Sequence, residues 1–304
     1  MVHWLGRETV HMASTMPLLD RVIFDSVGEA EKGVEAQLDC DVLYYYGELR
    51  SGNFTIFRDS IERLAERSDK RVSLGLCLTT PGGQAEAVER MVEVIRHHYK
   101  NFYALIPNTA MSAGTIFCMA ADKIFMDYSS ALGPIDPQVP DRENRVLVPA
   151  LGYLDKVEEL IQKSINNTIS PAEFQMLQSL DLAMLRFYEQ AKELSVNLLK
   201  KWLADYKFRN WTEHRTTDPG SPVTHDQRLA RAEEIATKLS DNKRWHSHGR
   251  MIGMNTLRSE LRLEIEDLGS NPELHGQIRR YADTLTGYLE RHGQAFTIFN
   301  RHLQ

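Results

Sequence analysis

Repeated strand–helix units predict an α/β fold, with a core of βα repeats followed by a mainly helical C-terminal region. Three observations lead there. Between residues 39 and 150, short runs rich in β-branched and aromatic residues alternate with stretches whose apolar residues recur at helical spacing. Glycine and proline clusters stand at the ends of two of these runs, where a chain leaves a strand and turns. From about Gly152 the pattern changes to long helical segments. At 304 residues the chain also exceeds the ~100–200 of a usual domain, so one α/β core plus a sizeable second region is expected, and the patterns divide the chain into three regions. These are an N-terminal arm (1–38), an α/β core (39–150) and a mainly helical region (151–304).

Residues 1–38 have weak periodicity and end in an acidic, polar stretch, as expected of an arm that packs on the core or on a partner subunit. Val42–Leu49 (VLYYYGEL) reads as the first strand, and Ser51-Gly52-Asn53 breaks it before a helical pattern at Ile56, Ile61, Leu64 and Ala65. Val72–Leu78 is a second apolar strand, ending at the turn Thr79-Thr80-Pro81-Gly82-Gly83. Ala85, Val88, Met91, Val92 and Ile95 then recur at helical spacing, and Phe102–Ile106 gives a third strand. Ser112 opens a small-residue helix (SAGTIFCMAAD), and Lys123–Met126 forms a fourth strand before a proline-rich loop around Asp136. Such repeats imply a parallel sheet with right-handed crossovers, in which ligands bind at the carboxyl ends of the strands. The glycine turn and the serine turn both fall at strand exits. Beyond Gly152, helices are expected over Tyr153–Ile165, Pro171–Tyr206, His225–Leu239 and Met251–Leu263, with Asn210–Pro222 as the clearest loop.

Composition narrows the function. Hydrophobic residues make up 42% and charged residues 26%, the balance of a soluble globular protein, and a net charge of −6 leaves no electrostatic footprint for nucleic acid. No run approaches the ~18 uninterrupted apolar residues of a membrane-spanning helix, and MVHWLGRETVHMAS lacks the apolar core of a secretory signal. A cytoplasmic protein is expected. Cys40, Cys77 and Cys118 are an odd set without CxxC spacing and read as reduced structural thiols.

The residues with chemical potential cluster between Leu78 and Val139. Pro81-Gly82-Gly83 can aim bare backbone N–H groups into a cleft, because glycine tolerates positive φ and close approach. The same tripeptide is also an ordinary turn. Ser112, on a Ser-Ala-Gly turn where a strand meets a helix, is either a helix N-cap or a nucleophile, with the amides of Ala113 and Gly83 around a developing oxyanion. Gly-x-Ser-x-Gly is absent, so this is not the nucleophile elbow of an α/β-hydrolase. Asp136, held between Pro134 and Pro137, is either a solvated loop carboxylate or one stiff enough to orient a histidine. A base must come from farther along the chain. His248 in Trp245-His246-Ser247-His248, His225 in Thr224-His225-Asp226, and Lys156 as a Ser-Lys partner are the candidates. His246-x-His248 lacks a third ligand and the HExxH pattern, so no metal is expected, and no cofactor.

These segments resemble the Clp-fold serine peptidases, and most closely the serine dehydrogenase proteinase family, a distant relative of the caseinolytic protease subunit and of signal peptide peptidase A. The pieces that carry the resemblance are TTPGG (79–83), NTAMSAGT (108–115), LGPIDPQ (132–138) and RWHSHGR (244–250). The resemblance implies a Clp/crotonase-like core and a Ser, Asp, His triad: Ser112 as nucleophile, Asp136 as orienting carboxylate and His248 as base. It implies an oxyanion hole from the backbone near Gly82, Gly83 and Ala113, peptide or protein substrates, and a homo-oligomer. Without a Gly-x-x-x-x-Gly-Lys-Ser/Thr loop, energy-driven unfolding of substrates requires a separate ATPase partner. Two other readings stand beside the peptidase. One is a catalytically inactive Clp-fold scaffold that binds a partner through its helical region. The other is a crotonase-like acyl-CoA enzyme, which shares the paired oxyanion amides but needs no serine.

Overall fold

The computed structural model describes residues 17–140, 147–214 and 219–303. Its first half runs α1 (Leu18–Leu38), β1 (Cys40–Tyr46), α2 (Phe54–Ala65), β2 (Ser73–Thr79), α3 (Ala85–His98), β3 (Asn101–Ile106), β4 (Thr109–Ala110), α4 (Ala113–Met119), β5 (Lys123–Met126) and β6 (Ala131–Leu132). A hairpin of β7 (Gln138–Pro140) and β8 (Leu147–Pro149) follows, then α5 (Ala150–Ile165), α6 (Pro171–Gln178), α7 (Leu182–Trp202), α8 (His225–Ser240) and α9 (Asn242–Trp245). The chain ends with β9 (Ile252–Gly253), α10 (Met254–Ser259), β10 (Glu266–Asp267), α11 (Pro272–Arg291) and β11 (Thr297–Phe299).

The main sheet has the order β10-β5-β3-β2-β1-β11, parallel throughout except for antiparallel β11. Six of the seven residues of β1 and of β2 are buried, as strands covered on both faces must be, which is why their sequences read as continuous apolar runs. Alternate residues still part to opposite faces. Leu43 and Tyr45 pack with α2, α3 and α4, whereas Val42 and Tyr44 pack with α1 and α11. The fold is thus α/β with one helical layer on each face of a mostly parallel sheet, and the four strands read from the sequence lie at its centre. Among the described residues no helix is long and apolar enough to cross a membrane. All three cysteines are buried and free.

Two long helices escape the periodicity reading. Residues 18–38, expected as part of an arm, form α1, whose buried face carries Glu31 and Glu35 beside Val27, Ala30 and Val34; two acids on the inner face mask the apolar stripe. Helix α11 buries Leu274, Ile278, Tyr281, Leu285 and Leu289 at helical spacing, but two glycines and many polar residues dilute the signal. Elsewhere two helix expectations are trimmed. The Pro171–Tyr206 pattern divides where Asp181 accepts from the N–H groups of Ala183 and Met184 and caps α7. The Met251–Leu263 pattern retains only α10, because Ile252 and Gly253 leave to form β9 and Arg262 takes a φ of 48°.

The acids on α1 meet the chain's C-terminal end. Glu31 is fully buried and accepts from Asn300 Nδ2 at 2.8 Å and Arg301 Nη1 at 3.1 Å, while Arg301 also pairs with Glu35 at 2.6 Å. Burial, helped by repulsion from Glu35, pushes the Glu31 carboxyl up to about 8 in spite of Arg301. Between the ordinary glutamate range and pH 8 the folded chain therefore holds a proton that the unfolded chain has released. Its contribution to stability is complete below about pH 4.5 and is lost as pH rises towards 8. In urea unfolding, wild type should lose stability steadily relative to Glu31→Gln as pH rises across this range; parallel pH profiles for the two proteins would disprove the assignment.

Candidate active site

Helix packing on both faces leaves the carboxyl ends of β2 and β3 open, and the candidate residues gather there. The glycine turn leaves β2 and pairs with residue 49: Leu49 N–H donates to Gly82 O and Gln84 N–H to Leu49 O, each at 2.8 Å. This parallel bridge uses one edge of Gly83, so the Gly83 N–H and C=O face the other way. Gly82 N–H is already engaged by Thr80 Oγ1 at 3.0 Å, which leaves Gly83 as the free donor of the pair. Both positions need glycine. Their φ values are 112° and 145°, and a Cβ on Gly83 would stand 2.1 Å from Leu49 O.

Ser112 sits at φ 51°, ψ −115°, a conformation that L-residues rarely adopt. It occupies the N-cap position of α4, yet its side chain makes no capping bond. The helix-cap bond, one of the two open readings of this serine, is thus not made, and the backbone strain has no cap to account for it. Ala113 is the first residue of α4, so its N–H has no intrahelical acceptor. The neighbouring loops fix this turn from two sides. A Cβ on Gly82 would lie 2.8 Å from Ser112 Cβ, and one on Gly133 would lie 2.6 Å from Met111 Cε. Thr115 Oγ1 accepts from Gly133 N–H at 2.9 Å and lies 2.9 Å from Ala110 O, tying the serine turn to the loop that carries Asp136.

Asp136 is only 1% exposed. Its Oδ1 faces His248 Nδ1 at 2.9 Å, and its Oδ2 accepts from Gln138 Nε2 at 3.3 Å. A histidine tied through Nδ1 offers Nε2 to other groups. The partners stand 112 positions apart in sequence and are brought together by tertiary anchors. Trp245 is buried and donates Nε1–H to Lys238 O at 2.7 Å, and Ile135 N–H donates to Leu239 O at 3.1 Å. On the other side of His248, β9 pairs with β6, which pairs with β4 beside the serine turn.

Ser112, Ala113, Gly82, Gly83 and His248 all line one cleft of about 650 Å³. Its apolar lining includes Phe187, Ala191 and Leu194 of α7 together with Ile116, Ile135 and Val139. The other two candidate bases lie elsewhere. His225 is exposed in the first turn of α8, where Thr224 and Gln227 form a capping box, and Lys156 pairs with Glu159 on the surface of α5. Among the described residues no group of histidines, cysteines and acids suits a metal ion. The sequence reading did not single out Gln138 or the α7 wall. The spacing Asp-Pro-Gln was the available signal for Gln138, since alternate residues of an extended segment share a side.

A family model described as ClpP-like SDH-type serine proteinase matches residues 54–244. Among curated proteins, two uncharacterized proteins of Methanocaldococcus jannaschii are 32% identical over 161 residues and 29% identical over 160 residues. Each match covers 50% of this chain and 56% or 54% of the relative, so the chain spans about half the length of the curated relatives it matches. Among solved structures, a serine-to-alanine mutant of the 1510-N membrane-bound stomatin-specific protease gives a TM-score of 0.45 at 13% identity, covering 78% of this chain and 82% of that one. A lysine-to-alanine mutant of the same protease, in complex with a substrate peptide, also gives 0.45, at 15% identity over 77% and 76%. ClpP1 from Listeria monocytogenes gives 0.39 at 12% identity over 83% and 95%.

The glycine turn can be tested by stability alone. Gly83→Ala should cost about 3 kcal/mol or more in urea unfolding, because strain and a backbone clash add. Gly52→Ala, where nothing lies within 4 Å, serves as the control and should shift the midpoint little. Equal midpoints for the two variants would mean that the pairing with Leu49 does not hold the turn.

Proposed function

Because the chain belongs to the ClpP-like SDH-type serine proteinases, we propose that it is a serine peptidase that hydrolyses peptide bonds through an acyl-enzyme on Ser112. The observation that carries this reading is the buried Asp136 paired with His248 in the cleft that also holds a strained, uncapped serine. In the proposed reaction Ser112 Oγ attacks the scissile carbonyl while His248 Nε2 takes its proton. Asp136 fixes the imidazole tautomer and stabilises the cation that forms. His248 then returns the proton to the departing amine, and water enters to release the acyl group by the same steps in reverse order of roles.

Negative charge develops on the carbonyl oxygen during attack. We assign its stabilisation to the N–H groups of Gly83 and Ala113, each able to contribute ~3–4 kcal/mol to the transition state. Gly82 supplies the conformation and Gly83 the donor. An extended peptide can also pair with the free edge of Gly83, which would hold the substrate in register with Ser112. We take the substrate to be a peptide or protein, the assembly to be a homo-oligomer, and any ATPase to be a separate partner. The buried free thiols support a reducing, cytoplasmic setting.

A fluorophosphonate probe tests the reading directly. It should label Ser112 in folded wild type and fail with Ser112→Ala. His248→Ala should slow labelling by roughly 10³–10⁴, whereas His225→Ala and Lys156→Ala should leave the rate unchanged. Folded wild type without an adduct at Ser112 overturns the peptidase reading and favours the scaffold.

A further inference from the structure

We propose that Gln138 is a positioning residue for the candidate catalytic set, clamping one oxygen of the Asp136 carboxylate so that the other faces His248. This rests on the peptidase reading above. A carboxylate can rotate about its Cβ–Cγ bond, and one hydrogen bond to a histidine does not fix its plane. Two donors on two different oxygens do. His248 Nδ1 lies 2.9 Å from Oδ1 and Gln138 Nε2 lies 3.3 Å from Oδ2, and these are the side-chain partners of Asp136 among the described residues.

The local backbone makes the clamp a consequence of sequence. Asp136 and Gln138 flank Pro137 just where β7 begins, and the hydrogen bond between them shows that both side chains project to one side. Pro137 restricts φ, and its carbonyl accepts from Ala150 N–H at 2.9 Å, which pins the segment between them. The chemistry of the donor matters too. An amide is neutral, so it satisfies a buried oxygen without competing with the imidazolium for the negative charge of Asp136, as an arginine or lysine would. Gln138 also lines the cleft.

The test follows labelling of Ser112 by a fluorophosphonate, resolved into kinact and KI from about pH 5 to 9. Gln138→Met is close in shape and lacks the donor. It should lower kinact roughly tenfold with KI nearly unchanged, because the loss falls on orientation of the base. Gln138→Glu places a second carboxylate beside Asp136, which raises the pH at which His248 loses its proton. The acidic limb of its kinact profile should therefore move up by about one pH unit, which checks that residue 138 stands within reach of the Asp136–His248 pair, while the kinact loss in Gln138→Met reports the clamp itself. Equal kinact for wild type and Gln138→Met overturns the clamp, whatever the limb does in Gln138→Glu, and leaves the peptidase reading standing. A change confined to KI does the same, by making Gln138 a substrate contact. Folded wild type that never labels at Ser112 removes both.

Discussion

Backbone meets backbone and side chain without spare room at three glycines, and the site depends on that crowding. A Cβ would come to 2.8 Å of Ser112 Cβ at Gly82, to 2.5 Å of Thr80 Cγ2 at Gly114, and to 2.6 Å of Met111 Cε at Gly133. The exits of β2 and β3 and the loop after β6 are thereby drawn onto one point. Each loop alone would be free to relax. Packed together they hold Ser112 at a φ of 51°, since the chain cannot relieve the strain there without moving Gly82 or Gly133. The hydrogen bonds of Thr115 to the backbone on either side of that turn complete the constraint.

His248 is brought to this point by a different device. It lies in an irregular segment, half exposed, and no helix or strand fixes it directly. Its position comes from the ends of the segment: Trp245 is buried under the end of α8, and Ile252 is buried in β9. The small sheet β4-β6-β9 therefore does for the histidine what the main sheet does for the serine. Residues distant in sequence become neighbours because β6 pairs on one edge with the serine turn's strand and on the other with the histidine's.

How much of this is legible in the sequence follows from the range of each interaction. The four central strands and the first two βα helices are written in local apolar periodicity, the third helix is marked by its small residues, and Lys123–Met126 is read to the residue. The glycine and serine turns are legible because positive φ and small neighbours are local demands. The two-residue strands β9 and β10 carry no periodic signal at all; they exist only through their partners. Helix α1 is obscured for the opposite reason, since its partners lie at the far end of the chain and turn buried acids into acceptable neighbours. Among His248, His225 and Lys156 the local sequence favoured His248 only through the resemblance of RWHSHGR; its pairing with Asp136 is a tertiary contact that no local pattern displays.

A second buried aspartate clarifies what Asp136 can do. Asp127, at the exit of β5, is also 1% exposed and also faces a histidine, His275 Nε2 at 2.8 Å. It accepts in addition from Arg279 Nε at 3.0 Å and Nη2 at 2.5 Å, and from the N–H groups of Ser129 and Ser130 at 2.7 and 2.9 Å. Burial opposes ionisation, yet the bonds from Arg279 and His275 hold its carboxyl well below the usual range. A carboxylate so saturated has little basicity left for an imidazole, and its work is to fasten α11 to the end of β5. Asp136 has a histidine, one neutral amide and no cation among its described side-chain partners. An Asp–His pair is thus no evidence of chemistry by itself. What separates the two is their company: Asp127 is met by a guanidinium and two backbone N–H groups as well as its histidine, whereas both described side-chain partners of Asp136, His248 and Gln138, line the cleft.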